Sequence, residues 1–205
     1  MDFRYNQSTQ GVTSNSAFAY VGDFVEKTNL EGPGDRFAIW FSGCTIRCPG
    51  CCNPHFFKPA DDQKMNVTTI LKAIDASMKE HSIEGVSFLG GEPLEQPEAL
   101  LVLVKEIKGM GLTNMIFSGY QYEEILKKNL GKAILSHVDL LVDGPFLEEQ
   151  RTTDRRFIGS RNQNLLFLTE AYQPDDPRFH EPNAFEIRLK DGEVFIHGFP
   201  NKFRI

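Results

Sequence analysis

No run of about 18 apolar residues occurs in the chain, so no membrane-spanning helix is expected. The N-terminus, MDFRYNQSTQ, lacks the apolar stretch of a secretory signal peptide. The chain is therefore expected in the cytosol, where thiols stay reduced and disulfides are not expected. A glycosylation sequon at Asn66-Val67-Thr68 would have no use in that compartment. Positive charge is in deficit: 22 Lys and Arg against 28 Asp and Glu leave a net charge of −6. That balance argues against a membrane surface and against general nucleic-acid binding. Internal repeats and low-complexity tracts are missing. Cysteine is sparse, with four in 205 residues, and all four fall together at Cys44, Cys48, Cys51 and Cys52.

The remaining composition is that of an ordinary globular chain, 40% hydrophobic and 24% charged, long enough for one sizeable core. Residues 1–30 read as an N-terminal arm, loosely held or carrying an irregular first strand. From Asp35 to Gly43, Phe37, Ile39 and Phe41 alternate with Ala38 and Trp40, the period of a strand. Val67, Ile70, Leu71, Ile74 and Met78 recur at helical spacing over 67–82, and Asn66 can cap that helix. A short apolar strand at 85–89 ends in Gly90-Gly91-Glu92-Pro93. A second helix at 97–108 is closed by Gly109 and Gly111. A strand at 115–118, a helix at 122–129 and a strand at 138–142 follow. A fifth strand is expected at 165–168.

Alternating strands and helices with short connections predict right-handed βαβ units and a parallel sheet of about four or five strands. A full eightfold barrel takes about 250 residues, so a partial barrel or an open sheet fits better. In either architecture the site lies at the C-terminal ends of the strands. The cysteine loop, Gly90-Gly91, Ser118-Gly119 and Asp143-Gly144 all belong to that rim. Residues 31–170 would form this core, and 171–205 an extension. Within the extension, 173–182 reads as a linker, and Asp191-Gly192 predicts a two-residue hairpin.

Three thiolates spaced C-x3-C-x2-C can hold one metal centre from a single loop. An iron–sulfur cube usually takes four cysteines, and three would leave one iron open to an outside ligand. Cys52 is a poor fourth ligand, because adjacent side chains diverge, and it would sit behind the cluster as a small hydrophobe. Spacing alone leaves two alternatives open. One is a zinc knuckle on Cys44, Cys48, Cys51 and His55; the other is four buried structural cysteines.

Further motifs carry a resemblance. GPGDRFAIWFSGCTIRCPGCCN, GVSFLGGEPL, IFSGYQYEEI, LVDGPFLEEQ and RFIGSRNQ appear in that order between Gly32 and Leu166. Together they resemble the radical S-adenosylmethionine superfamily, and within it the activating proteins of anaerobic ribonucleotide reductase and related glycyl-radical enzymes. The resemblance implies a [4Fe-4S] cluster on Cys44, Cys48 and Cys51, with S-adenosylmethionine chelated to the open iron. One electron would then give a 5′-deoxyadenosyl radical, which takes a hydrogen atom from a glycine of a partner protein. The partners implied are a glycyl-radical enzyme and a flavodoxin or ferredoxin-type electron donor.

By the same match, Gly90, Gly91, Glu92 and Pro93 would lie along the methionine amino group. Glycine at a strand end also lets backbone carbonyls approach a ligand closely. Gly50, Cys51 and Cys52 would touch the adenosyl part. Relatives commonly place an aromatic where Cys52 stands, and Phe56 is a candidate replacement. Ser118, Gly119 and Tyr120 sit where ribose hydroxyls need polar partners, with Tyr120 equally a surface ring over the rim. Asp143 would take a ribose hydroxyl or orient a cation, and Asn162 and Gln163 would close over the nucleoside or fix the last strand. Relatives also commonly carry a lysine where this chain has Pro145. Arg151, Arg155, Arg156 and Arg161 are candidates to take its place on the substrate carboxylate, since a guanidinium grips a carboxylate with two prongs.

The cysteines are too few for a second cluster, which excludes the larger multi-cluster enzymes. A radical enzyme acting on a peptide or nucleotide is a second reading, and a non-catalytic zinc-binding interaction module is a third.

Overall fold

The computed structural model describes residues 13, 14, 16–190 and 193–198. Its main sheet has seven strands, in the order β3-β1-β2-β4-β5-β6-β7. These are β1 (Phe18–Thr28), β2 (Arg36–Phe41), β3 (Lys64–Asn66), β4 (Gly85–Gly90), β5 (Thr113–Phe117), β6 (Leu140–Asp143) and β7 (Asn164–Phe167). The four central strands β2, β4, β5 and β6 run parallel, as the alternating pattern predicts. Their C-terminal ends therefore share one edge.

Helix α1 (Val67–His81) connects β3 to β4, and α2 (Pro97–Gly109) connects β4 to β5. The Asn66 side chain caps α1 by accepting from the Thr68 amide at 2.8 Å. Val67, Ile70, Leu71 and Ile74 are buried along one face of α1. Each such side chain is worth about 1.5–3 kcal/mol when removed from water, which is what docks the helix. Ala99, Leu100, Leu103, Val104 and Ile107 do the same for α2. Both helices cover the sheet face that carries Phe37, Ile39, Phe41, Val86, Phe88, Ile116 and Leu141.

Several expectations are corrected. Strand β1, eleven residues long and antiparallel to both β2 and β3, is the irregular first strand of the two alternatives, with register shifts between Val21 and Asp23 and between Val25 and Thr28. It belongs to the sheet and not to a loose arm; residues 1–12 lie outside the described part. Strand β7 forms where a fifth strand was expected, but it pairs antiparallel to β6. The segment 144–163 has no α-helix, only the 3-10 turn Glu148–Gln150, to carry the chain back across the sheet, so it returns on the same side. The helix expected at 122–129 is only one turn long, α3 (Tyr122–Ile125), and a second short helix that was not expected, α4 (Gly131–Leu135), follows it. Leu130 turns left-handed at φ 59°, and Gly131 packs so tightly on the Ile125 carbonyl that no side chain fits.

The segment 173–182, expected as a linker, is packed. Tyr172 and Phe179 are buried with Met115, Leu140, Val142, Phe157 and Ile158 on the second face of the sheet. Under the sheet, the fully buried Arg36 donates to Ser87 Oγ at 2.8 Å, Tyr172 O–H at 2.9 Å and the Val86 carbonyl at 2.9 Å. Arg178 pairs with Glu84 at 3.1 Å and with Asp176 at 2.6 Å. The C-terminal strands β8 (Phe185–Lys190) and β9 (Glu193–Gly198) form the expected antiparallel hairpin as a separate two-stranded sheet. The Asp191-Gly192 turn itself lies outside the described residues.

Candidate active site

Strand β2 delivers the chain to the cysteine loop, and four backbone hydrogen bonds fix the loop's root. The Gly43 amide donates to the Phe56 carbonyl at 2.8 Å, and the Cys44 amide to the Phe57 carbonyl at 3.1 Å. From the neighbouring strand, the Glu92 amide donates to the Gly43 carbonyl at 2.8 Å, and the Gly91 amide to the Phe41 carbonyl at 2.7 Å. These last two bonds explain the glycine pair in the first instance. A Cβ on Gly90 would stand 2.6 Å from Phe41 backbone atoms, with φ at 100° (favourable only to glycine), and one on Gly91 would collide with the Gly43 carbonyl. Backbone presses on backbone here, and the pressure fixes where Cys44 begins.

Cys44, Cys48 and Cys51 are half-buried free thiols; Cys52 is exposed, not tucked behind as expected. The Cys51 amide closes a turn onto the Cys48 carbonyl at 3.1 Å. Burial pushes the Cys44 and Cys48 thiols up. The Cys52 thiol, by donating to Cys51, pulls Cys51 down to about 6, and its own pKa is driven upward by the same bond. Cys51 is thus the readiest thiolate of the loop.

A zinc ion needs four ligands at about 2.0–2.3 Å, whereas thiolates of a cube bind separate irons and stand further apart. Among the described residues no three His, Cys, Asp or Glu side chains converge tightly enough to hold a single ion. His55 is exposed and lies tilted against Phe56, 4.1 Å between ring centroids. The zinc alternative finds no support there. Phe56 itself is buried beside Val25, Ala38, Trp40 and Leu89, so it serves the core under the loop.

Along the rim, predicted residues tie segments together. Glu92 is 1% exposed. Its carboxylate accepts from Ser118 Oγ at 3.0 Å, the Gly119 amide at 2.8 Å and the Leu94 amide at 3.0 Å. Burial with no cation beside it pushes its pKa up to about 7. Ser118 Oγ also accepts from the Tyr120 amide at 3.0 Å. Asp143 accepts from the Tyr122 amide at 2.8 Å and from Asn164 Nδ2 at 2.9 Å. Asn162 Nδ2 donates to the Pro145 carbonyl at 2.7 Å, and Gln163 Nε2 to the Gly144 carbonyl at 2.9 Å. Asn162 Oδ1 is buried without a partner among the described residues.

Of the four arginines, Arg151 reaches the cysteine loop. It stacks on Phe146 at 4.9 Å, extends Nη2 to 3.4 Å from the Gly50 carbonyl, and keeps a buried, unpartnered Nε. Arg155 turns to the carbonyls of Arg161 and Gln163. Arg156 donates to the Asn29 and Pro182 carbonyls. Arg161 is exposed.

Sequence reasoning missed two clamps. Gln96 joins the Tyr20 amide, 2.7 Å, to the Ser42 carbonyl, 2.9 Å, and Glu95 binds Thr45 and Tyr120. Their signal was a polar pair, Glu-Gln, set directly after the glycine motif at the mouth of an amphipathic helix.

A half-buried trio of thiols on the C-terminal edge of a parallel sheet, beside a glycine turn, defines an iron–sulfur protein. Residues 30–166 match the 4Fe-4S single cluster domain family. Over 161 residues the chain is 29% identical to an anaerobic ribonucleoside-triphosphate reductase-activating protein of Enterobacteria phage T4, covering 77% of this chain and 96% of that one. It is 31% identical over 146 residues to the protein of the same name from Vibrio cholerae, covering 68% and 92%. It is 37% identical over 117 residues to a pyruvate formate-lyase-activating enzyme of Clostridium pasteurianum, covering 54% of this chain and 49% of that enzyme. The chain belongs to the radical S-adenosylmethionine activating-enzyme family, whose cofactors are a [4Fe-4S] cluster and S-adenosylmethionine.

Proposed function

We propose that this enzyme installs a glycyl radical on an anaerobic partner resembling ribonucleotide reductase, by removing a hydrogen atom from one glycine. The observation that carries the reading is the C-x3-C-x2-C loop clamped by the glycine turn, in a chain that covers 92–96% of reductase-activating relatives. When bound, the cluster supplies the electron that cleaves S-adenosylmethionine to a 5′-deoxyadenosyl radical.

Three half-buried, unbridged thiols suit that group, and so does the unpartnered Oδ1 of Asn162 on the same rim. Cys44, Cys48 and Cys51 would hold the cluster. Gly90 and Gly91 would offer their backbone to the methionine amino group, while Glu92, fixed by Ser118, sets the shape of that turn. Gly50, Cys51 and Cys52 would border the adenosyl part, and Ser118, Asp143 and Asn162 its ribose end, acting mainly through the loops they tie. Arg151 would take the carboxylate role for which relatives use a lysine: its unpartnered Nε and its reach to Gly50 favour it over Arg155, Arg156 and Arg161. The core, 31–170, would be a partial (βα) barrel with 171–205 as its extension, working in the cytoplasm with a flavodoxin or ferredoxin-type donor.

The test is to mix the reduced, reconstituted enzyme with a candidate glycyl-radical reductase and S-adenosylmethionine under argon. A doublet radical signal that depends on the partner's glycine is expected. Release of 5′-deoxyadenosine without any such signal, but with turnover of a small peptide or nucleotide, would replace this reading.

A further inference from the structure

Between Cys44 and Cys48 the loop must cross Thr45, Ile46 and Arg47, and Arg47 adopts the left-handed conformation at φ 51°. The root is held by backbone bonds to Phe56 and Phe57, and the far end by the Cys48–Cys51 turn. Between them, a carboxylate holds Thr45, while the Ile46 and Arg47 amides turn back onto the Cys44 sulfur. Glu95 accepts from the Thr45 amide at 2.9 and 3.1 Å through its two oxygens, and from the Thr45 hydroxyl at 2.5 Å. The Tyr120 hydroxyl adds a third donor at 3.1 Å, and Lys128 lies over the Tyr120 ring at 3.5 Å. A single side chain thus joins the cysteine loop, the turn after β4 and the loop after β5.

We propose that Glu95 is a positioning residue for the radical reaction: it holds the Cys44–Cys48 span in its ligating conformation and sets a negative charge one residue from a cluster ligand. The inference rests on the cluster assignment above. Hydrogen bonds and net charge around a cluster set its reduction potential. A carboxylate beside Cys44 opposes the added electron, so it lowers the potential of the cluster that must reduce a sulfonium. Removing the charge while keeping an acceptor oxygen should therefore raise the potential without emptying the site.

The experiment uses the full chain, reconstituted anaerobically, with variants Glu95→Gln, Glu95→Ala, Thr45→Val and the Glu95→Ala/Thr45→Val pair. Iron content, the midpoint potential of the cluster, and kcat and KM for S-adenosylmethionine cleavage are measured. Glu95→Gln is expected to keep wild-type iron and to show a more positive potential. Glu95→Ala is expected to lose about 10- to 100-fold in iron retention or in cleavage rate, the usual cost of removing an outer support of a metal site. The double variant should be no worse than Glu95→Ala, because both changes break the same contact. A Glu95→Gln protein with wild-type iron and an unchanged potential overturns the proposal, as does a double variant whose losses simply add. Should Glu95→Ala fail to fold, the Glu95→Gln potential decides. A wild-type protein that takes up no cluster refutes the underlying assignment instead, and is recognised by that control.

Discussion

Glu92 and Glu31 are buried carboxylates whose neighbours only partly offset the loss of water. Burial raises each to about 7; the Gly198 amide bonds Glu31 at 2.8 Å and Arg156 adds some attraction, while Glu92 has only neutral donors. An unfolded carboxylate releases its proton near 4.5, so between about 4.5 and about 7 unfolding releases protons from these two sites. Their contribution to stability is full below 4.5 and is lost as pH rises through 7. The apoprotein's melting temperature should carry that downward slope, and Glu92→Gln should flatten it; equal slopes would show that Glu92 ionises freely. Gly91 makes a different prediction. A methyl group there meets the Gly43 carbonyl, so Gly91→Ala should cost about 1–3 kcal/mol in denaturant unfolding and lower iron uptake, because Cys44 follows directly. The cysteines and the glycine pair were readable from spacing and residue type. The roles of Ser118 and Asp143 as ties within the rim were not, because a strand-end hydroxyl or carboxylate reads alike whether its donor is a ligand or a backbone amide.

At the scale of elements, the parallel strands and the two long helices followed from periodicity alone, since each buries a regular face. What periodicity could not show was direction and continuity. Strand β7 has a strand's composition in either orientation, and only the return through 144–163 without an α-helix makes it antiparallel. The α3–α4 break depends on Gly131 touching Ile125, a contact that composition does not encode. The Pro- and Asp-rich composition of 173–182 likewise concealed an anchor, since Phe179 packs edge-on against Phe157, Phe167 and Tyr172. Phe179→Ala should therefore cost about 3–5 kcal/mol in urea unfolding. Leu189, 80% exposed on β8, gives the contrast: Leu189→Ala should stay within about 0.5 kcal/mol of wild type. Equal effects at the two positions would mean that the extension is not anchored through Phe179.

For the whole molecule, the sheet gathers four strand ends on one edge, and the proposed site belongs to that edge. The opposite edge is sealed by Arg36, Tyr172, Glu84 and Arg178, so the extension closes the bottom of the sheet. Strands β8 and β9 pair as their own sheet and touch the main body through the Gly198 amide on Glu31 and the His197 ring beside Trp40. Residues 30–166 match the iron–sulfur family, and the packed segment 173–182 follows that match. The central claim is that Cys44, Cys48 and Cys51 alone ligate the cluster, leaving one iron for S-adenosylmethionine. Its most direct measurement is 5′-deoxyadenosine formed by the reduced, reconstituted chain, compared with Cys52→Ser and Cys48→Ser. The account predicts product from the wild type and from Cys52→Ser, and none from Cys48→Ser. Loss of product in Cys52→Ser together with loss of its cluster would contradict it, because the fourth corner would then belong to the protein.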